Sequence, residues 1–127
     1  MSVVADTSVW IEFFAGRPAE ELEGALAQGV VILPPIVAAE LVSGARRPRD
    51  QQAIAALVQE IPVHATPLTH WLRVGELRRR LLGHGLSVSV PDAHVAQCAL
   101  DLAATLLAHD AIFAHVARHV PLRVRAG

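Results

Sequence analysis

The chain reads as one α/β domain over residues 1–127, a parallel β-sheet of about five strands flanked by helices on both faces. Three observations predict it. Short β-branched runs alternate with helical stretches along the whole length. No hairpin signal joins any two of those runs, and strands separated by helices pair in parallel. A chain of 127 residues with no low-complexity tract or linker is one domain, long enough to bury its own core.

Taken in order, strands are predicted near Ser2–Ala5, Val30–Leu33, Pro62–Thr66, Ala104–Ala108 and Leu122–Val124. Helices are predicted near Ser8–Ala15, Ala19–Gln28, Pro35–Ser43, Asp50–Glu60, Thr69–His84, Pro91–Ala103 and Ala111–Arg118. Pro34-Pro35 and Pro91 suit helix starts, because a first-turn residue has no intrahelical use for its N–H. Gly29, Gly44, Gly83 and Gly85 suit helix ends, where the chain turns left-handed.

Composition excludes several classes. The formal net charge of −1 is not that of a sequence-independent nucleic-acid coat, so any nucleic-acid contact must come from local clusters. All 11 basic residues are Arg, a pattern of codon bias that carries no functional weight here. Cys98 is the only cysteine, which forbids an intrachain disulfide and fits a reduced, cytoplasmic chain. It lies in an Ala-rich helix, where a thiol reads as core. No charged leader precedes the first apolar run, and no run approaches the ~18–20 residues of a membrane span. A 53% hydrophobic fraction is high for a domain of this size and predicts apolar surface covered by a partner.

Four acids stand where such a chain would avoid them. Asp6 closes Ser2-Val3-Val4-Ala5, and Asp110 closes Ala104-Thr105-Leu106-Leu107-Ala108-His109. Both therefore fall at carboxyl ends of strands, where ligands bind in open α/β sheets. Glu40 follows Ile36 and Val37 at i−4 and i−3, and is expected on their inward face. Asp92 heads the small, apolar row Ala96, Ala99, Ala103. Asp92 alone reads equally well as a helix-dipole partner. Four carboxylates in apolar settings need compensation, and a shared divalent cation is the most economical source. Hard cations take oxygen ligands, and a bound one makes a water a better nucleophile while neutralising charge on phosphorus. Asp6 and Asp92 are expected to be the core ligands, Glu40 to orient or deprotonate the water, and Asp110 to complete the shell. Ser8 is placed to donate a hydrogen bond to a carboxylate or phosphate, or simply to start a helix; Thr7 reads as structural.

On these residues the chain resembles the PIN-domain ribonucleases, most closely the VapC-type toxins of bacterial toxin–antitoxin pairs. Asp6-Thr7-Ser8-Val9-Trp10-Ile11 is similar to the family's first acidic motif, and Pro35-Ile36-Val37-Ala38-Ala39-Glu40-Leu41 to its second. Leu86-Ser87-Val88-Ser89-Val90-Pro91-Asp92-Ala93-His94-Val95-Ala96 resembles the third, and Leu106-Leu107-Ala108-His109-Asp110-Ala111-Ile112-Phe113 the fourth. Each is weak alone; their order and spacing make the set specific. The fourth departs most, with Ala108 where the family often has Thr or Ser and Ile112 where it often has a further Asp. The resemblance implies a Mg²⁺- or Mn²⁺-dependent endoribonuclease that hydrolyses RNA phosphodiester bonds with a metal-activated water and is inhibited by a cognate antitoxin.

Arg46, Arg47 and Arg49, and Arg78 and Arg79 on the longest helix, are candidate RNA-phosphate contacts. A homodimer is expected through helices between Pro35 and Glu60, with an antitoxin groove near Trp10, Phe14 and Trp71. His94, His109 and Glu12 lie near the acids in sequence but read as packing or surface residues, because the histidines lack ligand spacing. Two rivals remain: a phosphoryl-accepting domain, disfavoured because the chain has no lysine, and a catalytically silent PIN-fold RNA-binding or protein-interaction module, which the departures in the fourth motif allow.

Overall fold

A computed structural model describes residues 1–127. The chain runs β1 (Val3–Ala5), α1 (Thr7–Phe14), α2 (Glu20–Gln28), α3 (Pro35–Gly44), α4 (Pro48–Glu60), α5 (Leu68–Gly83), α6 (Val90–Asp101), β2 (Thr105–Leu107), α7 (Ala111–Val116) and β3 (Arg123–Arg125). The strands pair in parallel in the order β1-β2-β3, Val4 lying beside Leu106 and Leu106 beside Val124. Isolated parallel bridges, Val3 with Val31 and Leu33 with Val63, carry the sheet beyond β1. Ile32 N–H donates to the Val3 carbonyl and His64 N–H to the Leu33 carbonyl, each at 2.9 Å. The strands predicted at Val30–Leu33 and Pro62–Thr66 thus shrink to bridges. Pro34, Pro35 and Pro62 have no N–H to give, so the ladder stops where they begin.

Proline also sets helix starts, at the first turn of α3, α4 and α6. Pro48 begins α4 two residues earlier than the sequence pattern predicts. The centre of the fold is α6, whose residues Ala93 to Ala99 are all buried. It packs against β1, β2, α3 and α5, and its alanines leave room for those neighbours to approach. The helix ends at Asp101, not Ala103. Ala103 takes the left-handed conformation (φ 50°), and the Ala104 N–H reaches back to the Ala99 carbonyl at 2.9 Å, closing the turn as a Schellman-type cap. On the outer edge, β3 reads Arg-Val-Arg with both arginines exposed, charges that discourage edge-to-edge pairing. Trp10 is fully buried between Phe13 (5.8 Å, edge-on) and Phe14 (6.1 Å, stacked). Its indole N–H has no partner, at a cost of about 1–3 kcal/mol.

The α5–α6 contact is tied by Asp101. Its carboxylate accepts from Arg73 Nε (3.2 Å) and Nη2 (2.9 Å) and Gln97 Nε2 (2.8 Å), and lies 3.0 Å from His70 Nδ1. Burial alone would raise its pKa, but the hydrogen bonds from Arg73, His70 and Gln97 outweigh burial and bring it down to about 2. A carboxylate with a depressed folded pKa stabilises the protein above its unfolded value, and that stability is lost as pH falls through the folded pKa. Asp101→Asn is therefore expected to lower the thermal midpoint at pH 7. The gap from wild type should close between roughly pH 4 and pH 2, as followed by circular dichroism melts.

Candidate active site

Parallel strands joined through helices bring helix N-termini to the carboxyl edge of the sheet, and three of the four acids sit there. Asp6 follows β1 directly: its N–H donates to the Leu107 carbonyl at 2.9 Å and its own carbonyl accepts from Val9 N–H at 3.0 Å, opening α1. Asp92 lies in the first turn of α6, capped by Ser89, whose Oγ accepts from the Asp92 N–H at 3.2 Å. Ser89 to Asp92 has the spacing of a capping box. Asp110 caps α7, accepting from Ile112 N–H at 2.9 Å. Glu40 comes from the second turn of α3.

Glu40 does not share the inward face expected for it. Val37 and Leu41 are the buried stripe of α3, and Glu40 stands exposed on its flank. Thr7 Oγ1 holds it there, donating to Oε1 at 2.8 Å. That contact spans 33 residues and was beyond reach of local pattern; the only sequence signal was a second hydroxyl beside Asp6. Ser8 Oγ donates to Asp6 Oδ2 at 3.3 Å.

The carboxylates feel one another. Burial raises the pKa of Asp6, and the charges of Asp92 and Glu40 add to it, against hydrogen bonds from the Thr7 backbone and Ser8. Burial likewise raises that of Asp92, helped by Asp110 and Glu40 and opposed by Ser89. None of the four forms an ion pair with an arginine or histidine. Crowded, partly desolvated carboxylates without a protein cation fit a hard divalent ion with oxygen ligands.

Other residues near the acids in sequence are committed elsewhere. His109 Nε2 bonds Glu12 Oε2 at 2.9 Å, and Glu12 also faces Arg17 at 3.9 Å. His94 is buried between α5 and α6. Arg47 pairs with Asp50 at 3.3 Å, and Arg78 Nε donates to the Val88 carbonyl at 2.8 Å. Arg46, Arg49 and Arg79 are exposed.

A groove of about 400 Å³ runs beside the site, lined by Ile11, Phe14, Leu41 and Ile54, with Arg47 and Glu40 among its polar residues. Phe14 lines it, but Trp10 and Trp71, also expected beside an antitoxin groove, do not. Trp10 is sealed in the core, and Trp71 stacks on His94 at 4.5 Å. Both sit on helical stripes that turn inward, where aromatic area is most effectively removed from water.

Residues 3–119 match the PIN domain family, and the chain belongs to it. Its fold is shared with VapBC2 from Rickettsia felis bound to a promoter DNA fragment (20% identity, TM-score 0.80, 99% of this chain and 98% of that one). It is shared also with VapBC-1 from nontypeable Haemophilus influenzae (23%, 0.77, 99% and 98%) and a toxin–antitoxin complex from Klebsiella pneumoniae (20%, 0.75, 98% and 97%). No curated protein matches the chain.

A carboxylate whose folded pKa is raised favours the fold when protonated, and that contribution is lost as pH rises through the folded pKa. Asp6→Asn is accordingly expected to raise the thermal midpoint in chelator at pH 7. The advantage should shrink as pH is lowered towards the carboxylate range; an unchanged or lower midpoint would contradict the crowding.

Proposed function

We propose that the chain is a Mg²⁺- or Mn²⁺-dependent endoribonuclease acting as the toxin of a toxin–antitoxin pair in the cytoplasm. The observation that carries this reading is the crowding of Asp6, Asp92 and Glu40 without a protein cation at the carboxyl edge of a PIN fold. The resemblance to the family's toxins and the toxin–antitoxin complexes among its structural neighbours support it.

Asp6 and Asp92 would hold the ion, with Asp110 completing the shell from the α7 N-terminus. The ion supplies charge neutralisation at phosphorus and a lowered pKa for water at its surface. Glu40, steadied by Thr7, takes the proton from the attacking water; Ser8 keeps Asp6 turned to the pocket. Arg46, Arg47, Arg49, Arg78 and Arg79 are the proposed phosphate contacts, with Arg46, Arg49 and Arg79 free to reach RNA without giving up a partner. The cognate antitoxin would lay an apolar segment along Ile11, Phe14, Leu41 and Ile54. An arginine from it could reach Glu40 at the groove wall and compete with the ion, since its fork matches a carboxylate.

With saturating Mg²⁺ and a 5′-labelled RNA, Asp92→Asn is expected to lose on the order of a hundredfold or more in cleavage. Thr7→Val should lose about tenfold to a hundredfold, and Asp110→Asn less than Asp92→Asn. Full activity of Asp92→Asn would end the reading. The new 5′ ends mapped after induced expression identify the substrate.

A homodimer through the segment Pro35 to Glu60, where Val42 is exposed on α3, is part of the proposal. Light scattering at micromolar concentration should give twice the 13.6 kDa chain mass; Val42→Asp should shift it towards the monomer.

A further inference from the structure

A second cluster of metal-binding side chains lies at the α5–α6 contact and plays no part in the acidic site. On α6, His94, Cys98 and Asp101 fall at i, i+4 and i+7, one face of the helix. Across from them stand His70 in the first turn of α5 and His64 just after the Val63 bridge. His70, His94 and Cys98 are fully buried and His64 is half-buried.

We propose that His64, His70 and Cys98 form a site for a soft-to-borderline divalent cation of the Zn²⁺ class. Their donor atoms all lie within 4.8 Å of one another. Tetrahedral zinc, with bonds near 2.0–2.1 Å to nitrogen and 2.3 Å to sulfur, needs donors roughly 3.3–3.6 Å apart. Binding therefore requires the three side chains to draw together by about 1 Å. Thiolate with imidazole selects this class of ion over Mg²⁺ or Ca²⁺.

A separate observation points the same way. His70 Nδ1 lies 3.0 Å from Asp101 Oδ2, which leaves Nε2 turned to the cluster. Zinc-ligating imidazoles are commonly oriented by such a carboxylate. Asp101 is itself gripped by Arg73 and Gln97, so the ligand is positioned before any ion arrives. The thiolate supplies the negative charge at the ion, the Asp101 carboxylate being already paired with Arg73.

Without an ion, His70 Nε2 lies 2.7 Å from His94 Nδ1, and His94 Nε2 lies 3.6 Å from Cys98 Sγ. Burial foremost, with the Asp101 charge, pushes the Cys98 thiol up to about 12, so it is an intact S–H at neutral pH. Binding breaks that S–H bond, forms a metal–sulfur bond and releases one proton to solvent; a coordinating thiol is deprotonated outright. The ion also displaces the His70–His94 hydrogen bond. His64 offers the entry path, being the one ligand in contact with solvent. A bound ion would pin the outermost strand segment and α5 onto α6, the helix that carries Asp92.

The test is a Co²⁺ titration of the metal-free, reduced protein. A tetrahedral visible absorption and a sulfur-to-cobalt charge-transfer band that saturate at one ion are expected, apart from any weak octahedral absorption of Co²⁺ held by the acidic edge; because Cys98 is the sole cysteine, the charge-transfer band reports it alone. Zn²⁺ should bleach the spectrum and raise the thermal midpoint. Asp92→Asn should retain the band, while His64→Ala, a partly exposed position, should weaken binding about tenfold or more. Wild-type protein with only a weak octahedral spectrum would overturn the site. So would a charge-transfer band of unchanged affinity in His64→Ala, with circular dichroism confirming that the variant is folded.

Discussion

Like-charge repulsion at one edge of the sheet is the constraint on which this structure turns. Asp6 and Asp92 are partly withdrawn from water and feel each other and Glu40, an arrangement that opposes folding when no cation is present. The parallel topology imposes it, because every strand ends, and the helices from β1 and into β2 begin, on the same side. The same topology softens it. The N-termini of α1, α6 and α7 each carry partial positive charge towards the carboxylate placed there, and backbone and hydroxyl donors from Thr7, Ser8 and Ser89 add to that. What is left uncompensated is the charge that the proposed ion would neutralise.

Helix α6 shows how one element serves several demands. Its alanines let β1, β2, α3 and α5 close around it, and that burial holds Asp92 in place. Its first turn faces the acidic edge, while His94, Cys98 and Asp101 face α5. The two chemistries differ in kind. Oxygen ligands at a partly open edge suit a hard, hydrated ion, whereas a buried thiol and imidazoles suit a softer one. The two proposed sites would thus be told apart by their ligands, at opposite ends of one helix.

The arginines are divided in the same way. Arg78, Arg80 and Arg123 donate to backbone carbonyls, and Arg47, Arg73 and Arg125 face acids. These contacts close loops and helix ends, including the turn at Ala103. A near-neutral chain therefore keeps few free cations, and its grip on a polyanion depends on where those few stand rather than on a general field.

The alternation of β-branched runs and helices, the prolines at helix starts and the acids at strand ends were legible in the chain alone, because each depends on neighbours within a turn or two. So was the family resemblance, carried by four short motifs in order. Three features were decided by tertiary structure. The outer strands shortened to bridges because proline denied them N–H donors at the positions where pairing would continue. Glu40 turned to the flank of α3 because Val37 and Leu41 took the inward stripe, and a hydroxyl 33 residues earlier was there to hold it. Trp10 and Trp71 went to the core and to His94, and His64, His70 and Cys98 met across three elements. Local pattern reports which way a residue faces relative to its own helix or strand; which partner it meets depends on how those elements pack, and that is a property of the whole chain.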